Sequence, residues 1–429
     1  MSAQRRYSHA VETVPGNCDA CMHCLRTCPT AALRIRDSEP IILEDRCIDC
    51  GACLLACPRK AIGPVVDTFK ETGPFKHKVV VPSPVVYAQF GLDVSLQEIH
   101  LGLKKLGFDY IYDVFGACLI EAMAVQEHLK RLDSSKHGRE RKMPLISSMC
   151  PAVVRLVQVK YPTLVSHVLP FEPPRELSAR EAKIKVAREH DADIRDVGAF
   201  YISPCPAKSI SVLQPAEKER SFLDRSIALS DIYMPLRQAI SEITPEEKAE
   251  LTKEKFVFGS GWERTGLMSR SLNIKNWIAV SGMPHVVGIL DDIEEGKLES
   301  VAFVEANACI EGCVGGSLCV ENIYVARSKT LILETEHESI DRPDRGWVRQ
   351  LYDSGYFFME RELKPRTVAR PAGSIPDAIL FMKERDELVG TLPGLDCCSC
   401  GFPSCEIFAE EVLRKTAGID ACPYYKEEA

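Results

Sequence analysis

The stretch Glu305-Ala306-Asn307-Ala308-Cys309-Ile310-Glu311-Gly312-Cys313-Val314-Gly315-Gly316 decides how the long middle of this chain is read. Its two cysteines are separated by three residues, so on a helix they would share one face. Gly312, Gly315 and Gly316 crowd the second cysteine. Glycine there lets backbone come close to a bulky inorganic group and offer its N–H groups. Upstream, Cys150 and Cys205 each precede a proline, in Ser147-Ser148-Met149-Cys150-Pro151 and Ser203-Pro204-Cys205-Pro206. Taken alone, a single cysteine beside a strand is usually an inert core residue.

Outward from that stretch, residues 78 to 363 alternate between strand and helix patterns. Lys78–Val81, Phe108–Phe115 and Val197–Ile202 read as buried strands, with Ile278–Ser281 and Ser300–Val304 as two more. Ser95-x-x-Glu98 is a capping box, and Leu96, Ile99, Leu103 and Leu106 then mark one helical face that stops at Gly107. Helical stretches cover Ala117–Leu132, Ala152–Lys160, Asp231–Glu242 and His285–Glu295. This alternation predicts an α/β domain whose largely parallel sheet is covered on both faces.

The chain's 19 cysteines are its most unusual number. At 429 residues the length suggests about three domains. A disulfide scaffold would be short and secreted, whereas these cysteines stand two to four residues apart. Cys18-x2-Cys21-x2-Cys24-x3-Cys28-Pro29 recurs 29 residues later as Cys47-x2-Cys50-x2-Cys53-x3-Cys57-Pro58. In such runs the first three thiolates wrap one [4Fe–4S] cluster and the fourth reaches the other. That rule assigns Cys18, Cys21, Cys24 and Cys57 to one cluster, and Cys47, Cys50, Cys53 and Cys28 to the second. Leu33–Arg36 and Ile41–Leu43 read as strands between the motifs. A third group, Cys397-x2-Cys400-x4-Cys405-x16-Cys422, supplies four more thiolates, with Cys405 opening a helix over Glu406–Ala417 and Cys398 left spare. Zinc is the competing occupant of both groups, although zinc sites more often show paired C-x2-C units with a longer spacer or histidine.

These features divide the chain into a two-cluster α+β module at 1–72, a central α/β domain at 73–363, a Pro- and Gly-bearing linker at 364–376, and a small iron–sulfur domain at 377–429. The net charge of −8 and the lack of a basic run give no support for nucleic-acid binding, and no such partner is expected. No apolar run approaches the ~20 residues needed to cross a bilayer, so no membrane partner is expected. Arg5-Arg6 is followed by no apolar stretch, which speaks against an export signal and for a cytoplasmic location. His100, His128 and His285 have no second ligand at metal spacing and receive no role. Cys118 and Cys319 are expected in the core.

Residues 15–65 resemble a bacterial two-cluster ferredoxin domain, and the C-terminal spacing resembles a small [4Fe–4S] domain of redox and corrinoid proteins. The central domain resembles the catalytic domain of [FeFe]-hydrogenases. Its S-S-x-C-P, P-C-x-x-K and E-x-x-A-C-x-x-G-C-x-G-G signatures fall in order at Ser147–Pro151, Pro204–Lys208 and Glu305–Gly316. The resemblance implies a two-lobed α/β fold in which Cys150, Cys205, Cys309 and Cys313 hold the cubane of an H-cluster. Cys313 would bridge to a two-iron subsite carrying CO, cyanide and azadithiolate. Lys208 would donate to a cyanide, because a buried ammonium needs an anionic partner. Pro82 and Ser83 match positions lining the two-iron site.

Departures from the pattern are equally informative. Met149 occupies the place of the proton-relay cysteine and has no exchangeable proton. Ser211 stands where a glutamate is expected, and Ser203 and Asn307 replace methionines packed on the two-iron site. Cys313-Val314-Gly315-Gly316-Ser317 is shorter than the usual C-x-x-G-G-G. The combination resembles the sensory branch of the family and implies slow turnover of H2 and protons. The implied cofactors are three [4Fe–4S] clusters and an H-cluster, and the implied partners a redox or signalling protein and maturation factors. Two other readings stay open: a bidirectional catalytic hydrogenase with another proton path, and an assembly factor that lacks the two-iron site.

Overall fold

The computed structural model describes residues 8–70, 72–134, 143–251, 261–336, 343–366, 368 and 374–425. The chain divides into two compact units, residues 1–65 with 365–429, and residues 66–364. The two cysteine-rich ends, read from sequence as separate modules, therefore belong to one unit.

In that first unit the sequence repeat becomes a backbone repeat. Strand Val11–Thr13 pairs antiparallel with Ile62–Pro64, which ties the module's two ends together. Leu33–Arg36 and Glu39–Ile42 form an antiparallel hairpin. Asp37 and Ser38 both adopt positive φ at its two-residue turn, the twist that matches paired strands. Short helices His23–Thr27 and Ala52–Ala56 are each entered through a left-handed residue, Met22 and Gly51. Ala20 and Asp49, and Ala31 and Lys60, repeat the same positive φ at the same offset. Equivalent positions thus hold the same uncommon geometry whether or not glycine is available.

The C-terminal segment packs on this module through specific pairs. Arg34 donates to Glu411 at 2.7 Å, Ile35 N–H donates to the Gly401 carbonyl at 3.0 Å, and Arg26 donates to the Cys397 carbonyl at 3.0 Å. Gly401 has φ +81°, and a Cβ there would lie 2.2 Å from the Ile35 carbonyl oxygen, so only glycine permits the approach. Its preceding helix runs Ile375–Thr391, with Ser374 accepting from Asp377 N–H as N-cap. Helix therefore begins inside the stretch that its prolines and glycine mark as linker, because Pro376 falls in the first turn, where no N–H is needed.

The second unit carries two parallel sheets, in line with the expected α/β class. One has the order Tyr110–Ile111, His77–Pro82, Val197–Ser203, Arg225–Ala228. The other runs Trp277–Ser281, Phe303–Asn307, Leu145–Ile146. Val79–Val81 and Val197–Ile202 are buried on both faces, as near-continuous apolar strands require. The capping box forms as read: Ser95 Oγ accepts from Glu98 N–H and the Glu98 carboxylate accepts from Ser95 N–H.

Three strand limits differ from the sequence reading. Within Phe108–Phe115 only Tyr110–Ile111 pairs, since this is a sheet edge and Phe115 already opens the Phe115–Ser134 helix. The strand placed at Ser300–Val304 runs instead over Phe303–Asn307, because Leu298–Val301 closes a turn first. Around the first module's hairpin the second strand is Glu39–Ile42.

Candidate functional site

Within the first unit the thiols of the two runs come close to one another. Burial, then the charges of Cys18, Cys57 and Cys21, raise the Cys24 thiol to about 11. Burial also raises Cys53, which then feels Cys28, Cys47 and Cys24. Cys28, Cys47, Cys50 and Cys53 line one cavity with Val11, Leu33 and Ile42. Cys28 Sγ accepts from Ala32 N–H and Cys57 Sγ from Ala61 N–H, both at 3.2 Å, again at the repeat offset. Asp49 accepts from Ala10 N–H at 2.9 Å and from His9 at 3.1 Å, pinning the first strand beside Cys47. Neither residue was singled out from sequence.

At the C-terminal end, Cys400, Cys405 and Cys422 pack around Phe402 and Phe408. Burial raises the Cys400 thiol, which also feels Cys422 and Cys397. Hydrogen bonds from Ser399 lower the Cys397 thiol. Spare Cys398 instead turns into the first module's core, beside Leu25 and Leu33.

The second unit delivers its cysteines from the carboxyl ends of parallel strands, where α/β folds place ligands. Leu145–Ile146 leads to Cys150, Val197–Ser203 to Cys205, and Phe303–Asn307 to Cys309. Cys150 and Cys205 are both N-caps, with Pro151 and Pro206 at the first helical position. The Cys-Pro pairs in the sequence are thus helix starts. Burial raises the Cys313 thiol well above its ordinary range, and Cys205 and Cys150 lie close enough to add to the effect.

Cys309 and Cys313 do not share a helix face. Glu311 and Gly312 are left-handed (φ 60° and 83°), and Cys313–Gly315 is a single 3-10 turn. Half-buried Cys309 opens the turn before it, its carbonyl accepting from Gly312 N–H at 3.1 Å. The glycines serve backbone packing. A Cβ on Gly312 would stand 2.7 Å from the Glu263 carbonyl oxygen, on Gly315 2.2 Å from that of Ile310, and on Gly316 2.3 Å from that of Pro204.

Lys208 is fully buried, and its Nζ donates to Glu263 at 2.6 Å and to the Tyr201 hydroxyl at 3.2 Å. Burial opposes its charge, but Cys313, Glu263 and Tyr201 together hold its pKa well above the ordinary lysine value. The anionic partner that sequence reasoning sought in a ligand is therefore present in the protein. Nothing marked Glu263 beforehand; its only sequence signal is the run Gly261-Trp262-Glu263-Arg264.

Met149 is half-buried and packs against the core that holds Phe171 and Met268. Ser203 donates to the Cys205 carbonyl at 2.8 Å, and Asn307 is buried at its strand's end. Pro82 pairs in register with Ile202, and buried Ser83 donates its N–H to the Ile202 carbonyl at 3.3 Å. Ser211 Oγ donates to the Lys208 carbonyl at 2.7 Å and accepts from Arg175 at 3.0 Å. Cys319 lies near the site, donating to the Cys313 carbonyl at 3.4 Å, and Cys118 is buried as expected.

These donor sets fit iron–sulfur clusters. Gathered thiols that repel one another as thiolates suit a positive centre such as cluster iron. The Arg34 and Lys208 charges are already engaged by Glu411 and Glu263.

Comparison with known families follows the same division. The family model for the iron only hydrogenase large subunit, C-terminal domain, matches residues 76–257 and 232–317. A 4Fe-4S dicluster domain matches 17–62, and an Fe-S cluster family matches 392–424. Iron hydrogenase 1 of Clostridium pasteurianum is 26% identical over 160 residues, 35% of this chain and 27% of that enzyme, so the match spans about a quarter of its length. Nuclear prelamin A recognition factor of Homo sapiens is 22% identical over 378 residues, 73% of this chain and 82% of the relative. An [FeFe]-hydrogenase structure from Chlamydomonas reinhardtii shares the fold, with TM-score 0.52 at 18% identity, covering 70% of this chain and 98% of that one. With more than half its length matched by the family's own domain, and cluster-binding segments on either side, the chain belongs to the iron-only hydrogenase large-subunit family.

Proposed function

We propose that this protein binds H2 and splits it heterolytically at an H-cluster held by Cys150, Cys205, Cys309 and Cys313, with low turnover suited to sensing. The observation that carries the reading is the gathering of the Cys150, Cys205 and Cys313 thiols at the strand ends, with the Lys208 ammonium beside Cys313. When bound, the H-cluster supplies the metal centre on which H2 is polarised. The chain's own contribution is to hold that centre, to place the Lys208–Glu263 pair beside Cys313, and to move protons away. Met149 offers no exchangeable proton, so the last of these tasks is slow. Cys18, Cys21, Cys24 and Cys57, then Cys47, Cys50, Cys53 and Cys28, and finally Cys397, Cys400, Cys405 and Cys422 would each hold a [4Fe–4S] cluster, and these clusters would supply a path for electrons. A redox or signalling protein receives them, and maturation factors load the two-iron subsite.

One observation favours a second reading, an iron–sulfur protein without hydrogen chemistry. Glu263 already neutralises Lys208, so the lysine needs no bound anion. Relatives over most of this chain are named for prelamin A recognition rather than for hydrogen. Infrared spectra of protein matured with the two-iron subsite decide between them. CO and cyanide bands that shift under H2 support the first reading. Bands that never appear, in protein that holds its cubanes, leave the second.

A further inference from the structure

A small cavity in the second unit is lined by Ser148 and Pro151, on either side of Met149 and Cys150, and by Arg155, Arg175, Ser211, Ala216, Glu217 and Met359 among others. Four of these carry the argument: Ser148, Arg175, Ser211 and Glu217. Arg175 and Glu217 are both buried, yet their nearest approach, Nη2 to Oε1, is 4.0 Å, too long for a hydrogen bond. Among the described residues, Glu217 Oε1 and Arg175 Nε have no hydrogen-bond partner. Buried polar atoms left so are costly. The cavity has a volume of about 20 Å³, above the ~10–15 Å³ that one water needs. One water there would bridge the guanidinium and the carboxylate.

The cavity's position gives that water a use. On one side it meets Ser148, adjacent to Met149 and two residues from Cys150. On the other, half-buried Ala216 and Met359 form its rim toward solvent. We propose that Glu217, with Arg175 and one bridging water, is a proton-holding station that connects the cysteine pocket to solvent. A proton arriving on the water as hydronium passes to Glu217 Oε1. One O–H bond of the hydronium breaks, a carboxyl O–H bond forms, neutral water remains, and no electron moves. The reverse step toward the rim releases the proton.

The charged groups around Glu217 leave both protonation states accessible. Arg175 and Glu176 face it from the Pro174–Glu189 helix, Arg155 lines the cavity from the Pro151–Lys160 helix, and Lys218 is its neighbour in sequence. Burial raises its pKa above the ordinary carboxylate value, against the opposing charge of Arg175. The relay role rests on the hydrogen reading above; the proton-holding role does not.

Infrared difference spectra of the full chain between acidic and neutral pH test the station, compared among wild type, Glu217→Gln and Glu217→Asp. We expect a carbonyl band of a protonated acid that titrates above the ordinary glutamate range, is missing in Glu217→Gln and returns shifted in Glu217→Asp. An unchanged band pattern in Glu217→Gln, with cluster content intact, overturns the proposal. In matured protein, Glu217→Gln should lower H2 turnover at least tenfold, with KM for the electron acceptor unchanged. Unaltered turnover despite loss of the band removes the relay role. Wild type that holds the band but never reacts with H2 overturns the hydrogen reading and the relay with it, and leaves the proton-holding role supported.

Discussion

Lys208 shows how much one unnoticed partner changes a residue's meaning. The sequence motif placed a lysine three residues after Cys205, and elementary electrostatics required a counter-charge once it was buried. The structure supplies Glu263 at 2.6 Å. Removing one member of such a pair strands the other charge, at a cost of about 3–5 kcal/mol. Glu263→Gln should therefore destabilise the second unit by that order in chemical denaturation, while Glu263→Gln with Lys208→Met should recover most of the loss. A single variant as stable as wild type would show that Tyr201 alone satisfies the ammonium. At Met149 the prediction is kinetic. A thiol at this position restores an exchangeable proton, and general acid–base groups contribute ~100- to 10,000-fold. Met149→Cys should raise turnover of matured protein in an amperometric assay by at least tenfold. A wild-type rate that the substitution leaves unchanged would place the limiting step elsewhere.

At the scale of elements, the turn that presents Cys313 depends on glycine because backbone oxygens of neighbouring segments press against it. The carbonyls of Ile310 and Pro204 are main-chain atoms and have no rotamer to yield. Gly315→Ala and Gly316→Ala should each cost the cubane of the second unit while leaving the first unit's clusters in place. Iron analysis of anaerobically reconstituted protein should then show about four irons fewer per chain. Full iron content would mean the turn is softer than its contacts suggest. The Leu96–Lys105 helix offers a milder case, since Ser95→Ala removes one side of a complete capping box and should cost ~1 kcal/mol. The Pro174–Glu189 helix carries the opposite lesson. It escaped the sequence reading because Arg175, Glu176 and Lys183 face inward with the apolar residues, so its face shows no clean apolar stripe. Glu121, on the Phe115–Ser134 helix, is wholly buried with neither oxygen partnered among the described residues.

For the whole molecule, four ligand sets imply sixteen irons, and about eighteen once a two-iron subsite is loaded. Saturation near twelve, or stoichiometric zinc, would show a misassigned set. Because the C-terminal segment shares a unit with the first module, removing residues 377–429 should do more than delete one cluster. It strips Glu411 from buried Arg34 and Phe402 from above Arg34 and Arg36. The truncated chain should hold the first module's clusters less firmly and yield to proteolysis within residues 8–65. Retention of all eight N-terminal irons with unchanged protease resistance would mean the segment only rests there. Glu411 also sets a pH dependence. Burial opposes its charge, but Thr416 and Arg34 hold its pKa below 4.5. Its stabilising contribution is thus complete above that value and fades as pH falls through the lowered one. Thermal melts should show the first unit losing stability in acid, less so in Glu411→Gln.

What the sequence determined by itself was local and periodic. Ligand spacing within each cysteine run, the 29-residue repeat, the capping box and the apolar strands all follow from neighbours along the chain, where residue order alone sets geometry. Recognition of the family rested on the same kind of information, three short motifs in order. Tertiary structure decided whatever depends on partners distant in sequence. It paired Lys208 with Glu263, 55 positions away, and Arg34 with Glu411, 377 positions away. It joined the two ends of the chain into one unit and turned the Cys309–Cys313 segment out of a helix. Burial and charge compensation belong to the folded surroundings of a group, and no spacing along the chain encodes them.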